Sequence, residues 1–342
     1  MSEKKRDDYF DQLRGIAIIA IVAIHITSVI IDKSFTNTFN FYFLFIYRQL
    51  LNFAIPLFLF ISGYFMAKKD VSSVGKYKTF ILSQAKKIII PYVIFTSLFI
   101  LVDYYSGENI TVKSVLLNFL TGNVISPYFF IILILQYYLL LPLLQKINNI
   151  KGLTFSIVIN ILYFFALYIY RINLNQDIPN LYYALIFPAW LFFYQYGLYS
   201  GKYGLPKKSV IWIWFLILSI ILILIESMIW FKEKHLVSFA ISQLRVSSFI
   251  YSFFLINILV SYKFFKIKFL SKIGLVSFGI YLTHMFLLVY LVLPLTTKKL
   301  IYDIQPVYQI LILFLIILIN YFAIYIFKKI LPKKISHLLG FA

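Results

Sequence analysis

The 342-residue chain contains no cysteine and few charges. Without cysteine there can be no disulfide, no thiolate nucleophile and no cysteine metal site. Charged residues make up 13% of the chain and hydrophobic residues 62%, and the charged share is about half that of ordinary soluble domains. Polar side chains are therefore too scarce to cover the surface of a soluble fold. Acidic residues are scarcer still, 12 against 32 basic, for a net charge of +20. That imbalance does not imply a nucleic-acid partner. The lysines sit in short clusters between apolar runs, which is the distribution membrane topology imposes. The 4 histidines have no His-Glu-x-x-His or comparable spacing, so no metal is expected. No cleavable signal peptide is visible, because the chain opens polar at Met1–Asp8 and its first apolar span is too long for a signal core.

What the chain does have is long apolar runs, among them Ile16–Ile24, Val210–Ile225 (broken only by Ser219) and Ile310–Ile319. Each lies in a stretch long enough for a bilayer-spanning helix. The pattern predicts an all-α, polytopic membrane protein with about ten transmembrane helices, near 12–32, 40–66, 79–102, 127–146, 152–170, 181–201, 209–230, 238–261, 269–294 and 306–328. The second span is long enough to tilt or kink at Pro56, and Asp103–Ser126 reads as a polar, turn-rich connection. No internal repeat is evident. With ten spans, the loops of one side carry most of the basic residues, including Lys4, Lys5, Arg6, Lys68, Lys69, Lys76, Lys78 and Lys202. The other side has few, such as Lys33, Lys113, Arg171, Lys298 and Lys299. This bias places both termini in the cytoplasm. The expected organisation is one integral membrane domain over 1–342, with a cytoplasmic N-tail 1–11 and C-tail 329–342, multi-pass in a bacterial cytoplasmic membrane.

Five basic residues fall inside spans or at their edges: Arg14, Arg48, Lys86, Lys87 and Arg245. Ionisable groups at membrane depth are costly and are functional candidates by default. The first span, from Asp11 to Thr27, is the sharpest case. Arg14 and His25 are eleven residues apart, close to three helical turns, so they share one face about 16 Å apart along the axis. Asp11 precedes Arg14 at i, i+3 and can orient its guanidinium. Three blocks accompany this pair: PLFLFISGYF with Ser62 and Tyr64, QAKKIIIPYVIF with Lys86 and Lys87, and FLSKIGLVSFGIYLTH with His284. Counted from the start of their spans, His25 and His284 reach similar depth, with cations below them. Arg48, Arg245 and Glu226 fall in outer halves, where a Glu226–Arg245 pair is expected from depth.

In this order, the Arg14–His25 spacing, PLFLFISGYF, KKIIIPY, PYFFIILILQYYLLLPLL (Pro127 to Leu144) and SFGIYLTH resemble the acyltransferase-3 family, particularly its exopolysaccharide-modifying branch. These are integral membrane O-acyltransferases that modify bacterial surface polysaccharides and related acceptors. The resemblance runs from about Asp11 to Leu288. Two departures stand out. The family often opens its fourth span with His-Leu-Trp-Phe, where this chain has Pro127, Tyr128, Phe129 and Phe130. Lys86 and Lys87 replace an arginine common in the third-span motif, keeping the charge and losing the bidentate fork.

The resemblance implies a cytoplasmic acyl-CoA co-substrate, carrying acetyl or succinyl, and a carbohydrate or glycan hydroxyl reached from the outer side. No permanently bound cofactor is implied. A separate extracytoplasmic transferase or polysaccharide synthase is a possible partner, alongside the lipid bilayer. On this reading His25 is the general base, since a neutral imidazole titrates near working pH. Arg14 binds donor phosphates, with Lys86 and Lys87 adding charge for the nucleotide end. Ser62 and Tyr64 line the pantetheine path. His284 is a second catalytic group, a relay or a structural hydrogen bond. Arg48 and Arg245 belong to an outer vestibule, which the 20% aromatic content would suit for sugar stacking or equally for interfacial belts. The alternatives from other classes are a transporter or flippase for a lipid-linked sugar or polysaccharide, and a sensor without turnover.

Overall fold

The computed structural model describes residues 7–30, 38–174, 183–264, 266–295 and 305–341. Lys4, Lys5, Arg6, Lys33, Lys298 and Lys299, which enter the charge bias, lie outside the described residues. Among the described residues the fold is helical throughout, with no strand. In chain order the main elements are α1 (Asp8–Ile30), α2 (Phe39–Leu50), α3 (Ala54–Met66), α4 (Val74–Tyr105), α5 (Val112–Thr121), α6 (Phe129–Lys146) and α7 (Ile150–Leu174). They continue with α8 (Leu191–Tyr203), α9 (Val210–Lys232), α10 (Val246–Tyr262), α11 (Lys268–Leu275), α12 (Ser277–Phe286) and α13 (Val307–Ile330).

Among the described residues 7 helices are long and apolar enough to cross a membrane, or 8 if the bent pair α11–α12 is one span. The expected count of ten is not reached on length. The spans expected at 181–201 and 238–261 are realised as α8, with 13 residues, and α10, with 17. At 1.5 Å per residue these rise about 20 and 26 Å, short of a hydrocarbon core of about 30 Å.

The helices divide into centre and rim. In α1 and the α2–α3 span, 78% of the apolar window is buried inside the protein, against 17% in α9 and 22% in α13. The rim helices turn isoleucine, leucine and phenylalanine outward, for example Leu218, Ile310 and Phe314, as lipid-facing surfaces do. The helix carrying Arg14 and His25 is therefore at the core of the bundle.

Close packing at that core depends on glycine. At Gly274 of α11, an added Cβ would sit 1.8 Å from the Asp11 carbonyl oxygen, and at Gly15 of α1 it would sit 2.2 Å from that of Leu270. These two positions let the α1 and α11 backbones touch. In the same way Gly63 of α3 faces the Tyr194 carbonyl of α8, while Gly197 and Gly201 of α8 face the Phe60 and Tyr64 carbonyls of α3, a small-xxx-small seam typical of membrane helices.

Two spans are interrupted. The second breaks at Leu51–Phe53, four residues before the expected kink at Pro56. Pro56 has no N–H to offer the Asn52 carbonyl, so the disruption falls one turn upstream. The Ser252 hydroxyl donates to that carbonyl instead, at 3.4 Å. The ninth expected span bends by 73° between α11 and α12. The connection Asp103–Ser126 is not all loop, since it contains α5, opened by a Thr111–Ser114 capping box and closed by Gly122 at φ 74°. Asn118 and Phe119 of this helix accept hydrogen bonds from the Tyr92 hydroxyl of α4.

Candidate active site

The site is built around α1. Arg14 Nη1 donates to Asp11 Oδ1 at 2.6 Å, the expected i, i+3 pair, and its guanidinium lies 4.8 Å from the Phe65 ring centre. Its side chain keeps 27% of its exposure because it opens into a cavity of about 240 Å³ between α1, α3, α4, α6 and α12. The polar lining besides Arg14 is Ser62, Tyr138, Ser277 and Tyr281, set among apolar side chains that include Ile88 and Phe130.

Three turns along α1, half-buried His25 lines a second cavity of about 400 Å³. Its walls come from α1, α2, the start of α6 and the segments preceding α8 and α10, contributing Ser28, Arg48, Trp190 and Gln243. Ile21, Phe130 and Tyr281 line both cavities. They stand between the Arg14 end and the His25 end, so the two cavities adjoin along the face of α1 that the Arg14–His25 spacing defines.

This boundary is tied down by reciprocal hydroxyl-to-carbonyl bonds between two sequence blocks. Tyr281 donates to the Pro127 carbonyl, and Tyr128 donates to the Leu282 carbonyl at 2.7 Å. Pro127 and Tyr128, at the departure from the family's usual fourth-span opening, thus have a visible structural role.

His284 is fully buried behind His25, their ring centres 5.5 Å apart. Its Nδ1 lies 3.0 Å from the Ile280 carbonyl and 2.8 Å from that of Tyr281. A nitrogen held between two acceptors carries a hydrogen, which in the neutral ring makes Nε2 the acceptor. That Nε2 has no hydrogen-bond partner among the described residues.

At the His25 end a polar network braces the helix break. Arg48 Nη1 donates to Asn52 Oδ1 at 2.7 Å. Asn52 Nδ2 reaches Gln49 Oε1 at 3.2 Å and Ser248 Oγ at 3.1 Å. Arg245 donates to Gln49 Oε1 and, through Nε, to the Ser242 carbonyl at 3.1 Å. The expected Glu226–Arg245 pair is not formed. Glu226 accepts from the Tyr168 hydroxyl and, at 2.9 Å, from the Ser247 amide. Arg171, placed in an outer loop from the sequence, is fully buried in α7 beneath the Tyr183 and Phe239 rings.

Of the residues singled out from the sequence, Arg14, Ser62, His25 and Arg48 line the two cavities, with Asp11 and His284 directly behind them. Tyr64 lines neither. It stacks on Phe10 at 4.4 Å, because residues two apart on a helix point to different faces and Ser62 occupies the cavity face. Arg245 is buried in the bracing network and is not a wall of either cavity. Lys86 and Lys87 are exposed on α4, next to cavity-lining Ile88. With 32 residues, α4 is about 48 Å long and outruns a bilayer core of about 30 Å. Missed from the sequence were Tyr138, Tyr281, Trp190 and Gln243. Tyr281 sits one turn before His284 on the same helix face, and that spacing was the available signal.

No curated protein and no solved structure matches the chain. A family model described as an acyltransferase domain matches residues 7–329, which takes in every element lining the two cavities. On that match, which covers nearly the whole chain, this membrane protein belongs to the acyltransferase-3 family and is an acyl-transferring enzyme.

Proposed function

We propose that the chain moves an acyl group from cytoplasmic acyl-CoA onto a hydroxyl of an extracytoplasmic carbohydrate, working as a multi-pass enzyme of the bacterial cytoplasmic membrane. The lysine bias puts the Arg14 end in the cytoplasm. The donor enters there, with its phosphates toward Arg14 and the lysines at the mouth, Lys86 and Lys87 among them. Its pantetheine arm follows the apolar wall past Ser62 to the boundary between the cavities. The acceptor comes from the opposite end, where Trp190 and Gln243 offer a stacking face and a carboxamide.

At the meeting point neutral His25 takes the proton of the acceptor hydroxyl as its oxygen attacks the thioester carbonyl. The tetrahedral intermediate collapses, the C–S bond breaks, and the imidazolium returns the proton to the departing thiolate. Electrons and protons balance without a redox partner. His284 fits a positioning role: a small rotation of the two rings, whose centres are 5.5 Å apart, would let its Nε2, unpartnered among the described residues, accept a ring N–H of His25 and leave the other His25 nitrogen to act as base. Whether acetyl or succinyl is carried depends on the walls around His25.

One observation carries this reading, the two adjoining cavities along α1, with a guanidinium in one and an imidazole in the other. The test is His25→Ala, with CoA release and acceptor acylation measured on purified protein. The expected loss is about 10²–10⁴-fold with membrane insertion unchanged; a retained rate removes His25 as base. The interrupted spans α2–α3 and α11–α12 are a feature that carriers also use. A carrier would move its sugar across vesicles that contain no acyl donor, and the enzyme would not.

A further inference from the structure

The cavity around His25 has a charge imbalance. Among its described lining residues Arg48 is the one permanently charged side chain, and no carboxylate lines it. Arg48 is only 5% exposed, with Nη1 on the neutral Asn52 amide and Nε without a partner among the described residues. Its charged neighbour in the bracing network is another cation. Arg245 is fully buried, spends two donors on a carboxamide and a carbonyl, and leaves Nη1 unpartnered among the described residues. The nearby carboxylate, Glu226, is bonded to Tyr168 and Ser247 instead. The one carboxylate near Arg245 therefore hydrogen-bonds to neither guanidinium.

A buried cation is held at large cost unless something neutralises it. Fixing Arg48 costs a helix break, an asparagine and two serines, yet no acid lies within ion-pair distance of it among the described residues. A guanidinium facing an open cavity is suited to a substrate oxyanion, which it binds by charge-assisted hydrogen bonds. We infer that the His25 cavity is an anion-reading subsite in which Arg48 binds a carboxylate carried by one of the two substrates. The inference rests on the acyl-transfer reading and narrows its substrate class. Two sources supply the same chemistry: the free carboxylate of a dicarboxylic acyl group on the donor, or an acidic group on the acceptor sugar.

Binding to purified protein in detergent tests this with matched probe pairs. One pair is succinyl-CoA against acetyl-CoA, the other methyl glucuronide against methyl glucoside, each titrated on His25→Ala protein so that no turnover occurs. In one pair the probe bearing the additional carboxylate should bind at least about tenfold tighter than its counterpart without it, the factor one charge-assisted hydrogen bond supplies. Preference in the first pair assigns the anion to the donor, and preference in the second assigns it to the acceptor. Arg48→Gln should abolish the preference, so that both members of the pair bind alike, and Arg48→Lys should keep part of it. If neither pair shows a preference, or Arg48→Gln retains it, the subsite is refuted. Should Arg48→Gln fail to fold, the preference on the Arg48-intact protein and its partial survival in Arg48→Lys decide the matter. Because binding is read without turnover, a positive result here and an active His25→Ala enzyme would sink the catalytic assignment alone.

Discussion

Gly274→Ala is the substitution most directly quantified by the packing. An alanine Cβ there would lie 1.8 Å from the Asp11 carbonyl oxygen and 3.1 Å from the Gly15 nitrogen, both backbone atoms of α1. A carbon and a carbonyl oxygen approach to about 3.3 Å, so α1 and α11 must part locally by about 1.5 Å. Overpacking of this kind costs about 1–3 kcal/mol, which should lower the unfolding midpoint in detergent. The displaced residue is Asp11, whose carboxylate holds Arg14 at 2.6 Å, and the bend into α12 begins two residues after Gly274. A misplacement of about 1 Å at a reacting centre costs about 10²-fold in rate, so CoA release should fall by about that factor. Because the chain has no cysteine, a thiol reagent reads CoA release without background from the protein. The control is Gly75→Ala, where an added Cβ meets nothing within 4 Å and a glycine-to-alanine change in a helix is neutral or slightly stabilising. A Gly274→Ala protein with the wild-type rate and midpoint would refute the idea that backbone contact at this seam sets the site.

Two further outcomes are expected. Arg14→Ala should raise the KM for acyl-CoA by about tenfold or more, the factor of one charge-assisted contact, with little change in acceptor KM; equal changes in both would count against a phosphate role. Asp70, in the exposed loop after α3, is held at about 2 by hydrogen bonds from Lys76 and Ser72. Its lowered value means that any stabilisation is present above the ordinary carboxylate value of 3.8 and is lost as pH falls towards about 2. Because the pair is solvent-exposed, Asp70→Asn should leave the midpoint at pH 7 and physiological salt unmoved.

The features legible in the sequence were those set within one helix. Arg14, His25 and Asp11 are related by the 3.6-residue period alone, and the structure keeps that relation. The shared depth of His25 and His284 was also readable, because depth in a span is a count of residues, and their rings do lie side by side. What the sequence hid depends on how helices meet. Trp190 and Gln243 reach the His25 cavity from segments preceding two different helices, and no spacing links them. The span break at Leu51–Phe53 was hidden because proline acts on the carbonyl four residues upstream. Tyr64 could have been set aside from the sequence, since it and Ser62 cannot share a helix face. The count of ten spans took every long apolar stretch as a helix of membrane length, whereas α8 and α10 are short and buried against neighbours.

The collar of Ile21, Phe130 and Tyr281 has a consequence for the cell as well as for the reaction. If donor and acceptor enter from opposite faces as proposed, the protein is in outline a pore, and an open one would dissipate ion gradients. Ile21, Phe130 and a Tyr281 anchored to Pro127 stand between the two cavities, where such a leak would begin. Permeation and acylation then compete for the same few ångströms, so a variant that speeds turnover by widening this collar should also cost the membrane its tightness.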